Sequence, residues 1–297
     1  MSDVLITGAT GLIGRSVLPL LAGRHRAWAL SRTVPLSGDQ SCTWIRHDLT
    51  DSRLPDTMPG TIDSVIHLAQ SPYFREFPER APHVFEVSVG STMRLLHWAR
   101  QAGARRFVYA SSGGIYGHGD EGFREDDLIR PQGPLGFYFA AKQCGESLVE
   151  NYADHLIVIV LRFFFVYGRH QRPDMLIPRL VRSVRAEDSI TLQGEQGMRL
   201  NPIHVSDAAR CVVKSLALTE SHKINIAGEE ILTMREIGDA IGHHLGKKPS
   251  YRIQQGQPAK HLIGDIQKMQ RLLDHPIVTF HDGVKELCEA EAQPRAR

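Results

Sequence analysis

Short apolar runs and longer mixed stretches alternate through the first half of the chain. The runs Val4–Thr7, Ala27–Leu30, Cys42–Arg46, Ser64–Leu68, Phe107–Ser111 and Leu156–Phe163 are expected to be strands, with helices near Leu12–Leu21, Phe85–Ala102 and Tyr138–Tyr152. This order predicts an α/β fold with a doubly wound parallel sheet and right-handed crossovers. A ligand should lie beyond the carboxyl ends of the strands, where Gly8, Ser112 and the head of the Tyr138 helix converge. Gly117–Gly136, polar and rich in glycine and proline, reads as a mobile loop beside that place, stiffened by Pro131-Gln132-Gly133-Pro134. Its acids Asp120, Glu121, Glu125, Asp126 and Asp127 read as a solvated face.

The first run leads into three glycines at three-residue intervals, Val4-Leu5-Ile6-Thr7-Gly8-Ala9-Thr10-Gly11-Leu12-Ile13-Gly14-Arg15. Gly8 allows a tight turn, Gly11 lets backbone approach a pyrophosphate, and Gly14 lets the following helix pack close to the sheet. The helix would then face phosphates with its exposed N–H groups and the positive end of its dipole. Any tight turn can use glycine; the strand before and the helix after are what point to a dinucleotide. The second run ends at Ser31-Arg32, where such a fold usually presents an acid to the adenosine ribose. An arginine there can neutralise a 2′-phosphate, so NADP(H) is expected in preference to NAD(H), with NAD(H) the alternative if Arg32 is merely solvated.

Tyr138 and Lys142 stand four residues apart in Tyr138-Phe139-Ala140-Ala141-Lys142. On a helix that spacing puts phenol and ammonium on one face. Free tyrosine, with a pKa near ~10, is a poor base at neutral pH, but a cation held close favours the phenolate. The same spacing also fits a core ring beside a solvated amine. What distinguishes this pair is the Ser111-Ser112 pair and the glycine turn upstream of it.

Taken in order, these segments resemble the extended short-chain dehydrogenase/reductases, in particular the NAD(P)-dependent epimerase/dehydratase family that modifies nucleotide sugars. Matching segments run along nearly the whole chain. They are the Gly8–Gly14 turn, His47-Asp48-Leu49, Val65-Ile66-His67-Leu68-Ala69, the stretch from Phe107 to Gly117, Tyr138 to Lys142, Leu161 to Gly168, Gln171 to Met175 and Ile203 to Asp207. The resemblance implies a Rossmann fold with a smaller C-terminal substrate-binding lobe. It makes Ser112 the hydroxyl that binds the reacting oxygen, Tyr138 the acid/base, and Lys142 the group that orients the ribose and lowers the tyrosine pKa. Asp48 and Leu49 would flank the adenine, and His67, Leu68 and Ala69 would line the cofactor cleft. The wider cofactor set takes in Thr10, Leu12, Ile13, Ser31, Gln70, Ala110 and Phe165. Candidate substrate contacts are Ser111, Gly113, Arg172, Arg179 and Arg199; the guanidinium fork suits diphosphates and carboxylates.

Departures from the family pattern narrow the reaction. Dehydratases of the family carry an Asp-Glu pair directly after the serine, and here those positions are Gly113 and Gly114. Elimination of water then lacks its general acid and base, which leaves a 4-epimerase that oxidises and re-reduces or a ketoreductase that reduces once. Phe165 stands where asparagine or threonine is expected, Leu200 where the family has arginine, and Ser88 where it usually has asparagine. A uronate carboxylate meeting Phe165 would find no hydrogen bond.

Beyond about Gly168 the alternation loosens. Residues 168–201 and 229–297 are expected to form the smaller lobe, with 202–228 returning to the large domain of 1–167. No internal repeat is visible, and the polar tail Glu289–Arg297 is expected to be disordered. Helices Phe85–Ala102 and Ala140–Tyr152 offer apolar residues for a four-helix homodimer interface, or simply cover the sheet.

Composition agrees with this picture. A formal charge of +2 over 297 residues, with no dense basic tract beyond pairs such as Arg105-Arg106 and Lys247-Lys248, does not recommend nucleic acid. The four cysteines, Cys42, Cys144, Cys211 and Cys288, are widely separated, as reduced cytoplasmic thiols would be, and Cys144 reads as a packing residue. The fifteen histidines are scattered, so no metal site is expected, and no signal peptide or membrane-length run is visible. Two other readings compete: an NADPH-dependent reductase of a small non-nucleotide carbonyl compound, and a non-catalytic NAD(P)-binding sensor or partner-binding protein.

Overall fold

The structure, a computed structural model, describes residues 1–35, 42–256 and 259–290. Seven strands form one all-parallel sheet: β1 (Ser2–Thr7), β2 (His25–Ser31), β3 (Cys42–Arg46), β4 (Ser64–His67), β5 (Arg106–Ser112), β6 (Ile157–Phe163) and β7 (His222–Ile226). Their order is β7-β6-β5-β4-β1-β2-β3, so the winding reverses between β1 and β4. That reversal opens a crevice at the carboxyl ends of the strands.

Successive side chains on a strand point to opposite faces, and here each face has its own core. Val4 and Ile6 of β1, Val108 of β5 and Ile159 of β6 pack with α1 (Leu12–Leu21). Leu5, Phe107, Tyr109 and Val158 point the other way, onto α2 (Ser91–Gln101). Burial on both sides explains why these strands read as unbroken apolar runs.

Two elements differ from the sequence expectation. The helix expected over Phe85–Ala102 begins at Ala81–Phe85, passes through one wide turn of π geometry at Glu86–Gly90 and continues as α2. The segment Gly117–Gly136 is pinned rather than loose. Gly122–Phe123 pairs with Ile263–Gly264, the Glu125 carboxylate accepts from Asn225 N at 2.9 Å, and the Phe123 carbonyl accepts from Asn225 Nδ2 at 2.8 Å. Glu125 is therefore a structural acceptor, not part of a solvated face.

The next helix, α3 (Gly136–Glu150), starts two residues before Tyr138. A separate apolar core, including Ile177, Val184, Ile190, Ile237, Ile241 and Val284, is built from α4 (Leu176–Ala186), the parallel pair Ile190–Gln193 and Tyr251–Gln254, and two later helices. Between them α5 (Val205–Ser215) returns to pack on α1. A capping box opens α6 (Met234–Leu245): Thr233 Oγ1 accepts from Glu236 N, and the Glu236 carboxylate accepts from Thr233 N. The short α7 (Gln267–Leu272) leaves the lobe core, since its Met269 is buried against the large sheet. The last helix, α8, spans Phe280–Ala290. We propose the division into 1–167 with 202–228, and 168–201 with 229–297, with the α7 segment assigned to the large domain. The α8 helix takes in Glu289 and Ala290 of the expected disordered tail; the remaining tail residues lie outside those described. Among the described residues no helix is long and apolar enough to cross a membrane.

Candidate active site

A cleft of about 1020 Å³ opens beyond β1, β4 and β5. This is at the upper end of the ~300–1,000 Å³ usual for small-molecule sites. The glycine turn forms its floor. Gly8 has φ +71°, and a Cβ there would sit 2.7 Å from the Leu68 carbonyl carbon, so only glycine closes this turn. Gly14 packs against the backbone of Gly8 and Ala9, so it tightens the turn itself rather than the contact with the sheet. No side chain caps the N-terminus of α1, and the residues around it, Gly11 to Arg15, line the cleft. A phosphate fits such a terminus.

Thr10, Ser31, Arg32, Asp48 and Leu49 gather at one end of the cleft. Ser31 Oγ lies 3.5 Å from Thr10 Oγ1, and Arg32 is exposed. Burial pushes the Asp48 carboxyl up, but hydrogen bonds from Thr50 and the nearby Arg32 outweigh it and hold the group below its ordinary value. Two lining residues here stand in or beside the matched segments but carry no expected role. Arg15, directly after the glycine triplet, donates from Nε to Thr10 O at 2.7 Å, and His47 keeps a buried Nε2 without a protein hydrogen bond. Ser111 Oγ, also in a lining residue, is buried in the same way. A glycine cradle that a Cβ would fill, together with polar atoms awaiting partners, fits a dinucleotide.

At the other end β5 and α3 deliver the reactive groups. β5 ends at Ser112, whose Oγ accepts from Gly114 N at 3.2 Å, fixing the turn that follows. Tyr138 and Lys142 are both buried, and both line the cleft with Ser112. Burial pushes the Tyr138 phenol up, and the Ser112 hydroxyl pulls it partly back. Burial also brings the Lys142 ammonium down to about 8, against the upward pull of Glu146. Lys142 Nζ donates to Ala110 O at 2.8 Å and lies 6.0 Å from the centre of the Tyr138 ring. The Tyr138 hydroxyl donates to Gln70 Oε1 at 3.0 Å.

Beneath the serine the cleft is aromatic. A Cβ on Gly113 would collide with the Phe164 ring, and one on Gly114 with the Phe139 ring. The two rings occupy the space that side chains at these positions would need. Phe165 also lines the cleft, with φ +40°, a backbone region that a bulky residue rarely adopts. Neither Phe139 nor Phe164 was picked out beforehand; Phe139 follows Tyr138 directly, and Phe164 lies in a run of three phenylalanines.

Leu12, Ile13, Leu68, Ala69 and Ala110 line the cleft as expected, but His67 does not: it is buried, bonded to the hydroxyls of Thr7 and Thr92. Of the candidate substrate contacts, Ser111 and Arg172 do so as well. Arg172 is paired with Asp174 at 2.9 Å and donates to Pro72 O at 2.8 Å across the mouth. Gly113, Arg179 and Arg199 lie outside the lining. Arg179 is exposed on α4, and Arg199 donates to Asp120 O at 2.7 Å. Cys144 points away from the site, but it is exposed rather than packed.

Comparison with known proteins agrees with this geometry. The model of the NAD dependent epimerase/dehydratase family matches residues 4–227. The fold matches MoeE5 in complex with UDP-glucose and NAD with a TM-score of 0.82, at 29% identity and over 98% of both chains. UDP-glucuronate 4-epimerase of Thermodesulfobacterium geofontis (strain OPF15) is 27% identical over 96% of this chain and 94% of its own length. A dTDP-glucose 4,6-dehydratase of Streptomyces niveus is 25% identical over 99% of this chain and 94% of its own.

Proposed function

Because the chain belongs to the NAD dependent epimerase/dehydratase family, we propose that it moves a hydride at a carbinol or ketone carbon of a nucleotide sugar, as a 4-epimerase or 4-ketoreductase. The observation that carries this reading is the convergence of Ser112, Tyr138 and Lys142 in one cleft with the glycine turn. A bound nicotinamide would supply or accept the hydride. The chain's own residues handle the proton. Ser112 holds the reacting oxygen, Tyr138 gives or takes its proton, and Lys142 favours the phenolate when charged.

Dehydration does not suit this site. The family's acid and base would have to extend from positions 113 and 114, where the rings of Phe164 and Phe139 stand. Incubation with UDP- and dTDP-hexoses and oxidised cofactor, and with their 4-keto forms and reduced cofactor, tests the reading. Products epimerised or reduced at one carbon support it; a product lighter by one water refutes it.

For the cofactor we propose NADP(H) over NAD(H), with Arg32 and Arg15 near Ser31 receiving the 2′-phosphate. A homodimer through α2 and α3 would cover the exposed Phe85 and Met93. We place the enzyme in the cytoplasm on its widely separated cysteines. One observation favours a second reading, a reductase of a non-nucleotide carbonyl compound. Only one of the three expected arginines lines the cleft, and Asp174 already holds it.

A further inference from the structure

We propose that the side-chain amide of Gln70 is a positioning residue that holds Tyr138 in its protonated form, so that the resting site presents an acid. This role rests on the hydride-transfer reading above. Gln70 follows β4 as an exposed residue at the cleft, and the backbone leading into it is set by its neighbours. Leu68 N donates to Thr7 O at 3.2 Å and Ala69 N to Thr7 Oγ1 at 3.2 Å, tying the segment to the strand before the glycine turn. His67 is clamped between the hydroxyls of Thr7 at 2.6 Å and Thr92 at 3.1 Å. From the other side the Phe74 ring, 5.3 Å from that of Tyr138, limits where the phenol can point. Its hydroxyl is left aimed at Gln70 Oε1, 3.0 Å away.

The surrounding titratable groups have other partners. Lys142, on the same helix, gives its ammonium to Ala110 O, and the Tyr109 hydroxyl on β5 is directed to Ser88 O at 3.5 Å. On the segment over the cleft His83 meets Ser71 Oγ at 2.9 Å, Arg75 reaches Met175 Sδ at 3.7 Å, and Arg172 is held by Asp174.

A phenol that donates to an amide carbonyl loses that bond on ionising, so the contact favours the neutral ring. When the Tyr138 O–H bond breaks and its proton forms a new O–H bond on a substrate carbonyl oxygen, the Gln70 carbonyl is left facing the phenolate with no donor between them, so the contact opposes ionisation. Gln70 thus keeps the proton on Tyr138 until a substrate oxygen competes with Oε1 for it.

The test is a pH titration of tyrosinate absorbance in the full chain saturated with oxidised cofactor, whose positive ring favours the phenolate. Subtracting the Tyr138→Phe variant isolates the one residue. Gln70→Met keeps the volume and removes the amide, and should move Tyr138 ionisation down by about 0.5–1 pH unit, the size carried by one neutral hydrogen bond. Gln70→Glu should move it up, because a carboxylate opposes the phenolate. If wild type and both variants show the same ionised fraction at every pH, the proposal is overturned. The titration needs no substrate. A shift without turnover of any nucleotide sugar would therefore sink the proposed function while still showing that Gln70 controls the ionisation of Tyr138.

Discussion

Arg162 and Glu146 form a two-pronged ion pair inside the protein, Nε to Oε1 at 3.0 Å and Nη2 to Oε2 at 2.7 Å, with the side chains 1% and 3% exposed. The remaining guanidinium nitrogen donates to Tyr116 Oη at 2.6 Å and to Glu125 O at 2.8 Å. One buried charge thus joins α3, β6, the turn after Ser112 and the segment over Gly122. Glu146 lies one turn beyond Lys142, so the pair also anchors the helix that carries the acid/base. Arg162→Met or Glu146→Gln alone should cost about 3–5 kcal/mol, because each strands a buried partner, while Arg162→Met with Glu146→Leu should recover most of the loss. Urea unfolding of the three variants decides. Single losses below ~1 kcal/mol would remove the anchoring role.

Tyr138→Phe leaves the ring between Phe74 and Phe139 and removes only the proton. Turnover should fall by ~10²–10⁴ with little change in KM. Steady-state kinetics on whichever nucleotide sugar is accepted measure this, and near-normal kcat would dismiss Tyr138 as the acid/base.

The aromatic floor makes its own prediction. Gly114→Ala should destabilise by ~1–3 kcal/mol through overpacking against Phe139. With Phe139→Ala in the same chain much of that penalty should vanish, a coupling that a double-mutant cycle reads directly. Additive losses would mean that the ring is not what excludes a side chain.

His67 sets an acid limb of stability. It is 1% exposed, and burial, with the nearby Lys142 charge adding to it, holds its pKa down from 6.5 to about 3. The folded state therefore refuses a proton that the unfolded state accepts. Stability is whole above about 6.5 and is lost as pH falls toward about 3, by up to about 1.4 kcal/mol per pH unit. His67→Gln, which can still bridge Thr7 and Thr92, should flatten that limb in thermal melts recorded across this window. An unchanged slope would assign the acid sensitivity to other groups.

Arg32→Ala should weaken NADPH binding about 10- to 100-fold, the range of a hydrogen bond to a charged group, and leave NADH binding nearly unchanged. Titrations with both cofactors check it. Equal losses would return Arg32 to the role of a solvated surface residue.

Much of this was legible in the chain, because buried parallel strands and a glycine turn impose their own residues. Val4 to Gly14 reads as strand, turn and helix since each position has a local reason. Tyr138 and Lys142 share a face by helical spacing alone. What could not be read comes from contacts between distant segments. The rings of Phe139 and Phe164 fill the space beside Gly113 and Gly114 only once α3 and the end of β6 meet under Ser112. Arg179 matched a pattern and Arg199 stands one position before the family arginine, but the direction of each side chain depends on lobe packing that no local spacing encodes. The hold of Asn225 on Glu125 spans 100 residues.

Hydride transfer without elimination is tested most directly by nucleotide hexoses labelled with deuterium at C4, incubated with the protein and NADP or NAD. The label should pass between the sugar carbon and the nicotinamide, giving a 4-epimer or, run from the keto sugar with labelled reduced cofactor, a labelled alcohol. Tyr138→Phe should abolish it. A product that has lost water, or a 4-epimer whose C4 deuterium has been replaced by hydrogen from solvent, would contradict the account.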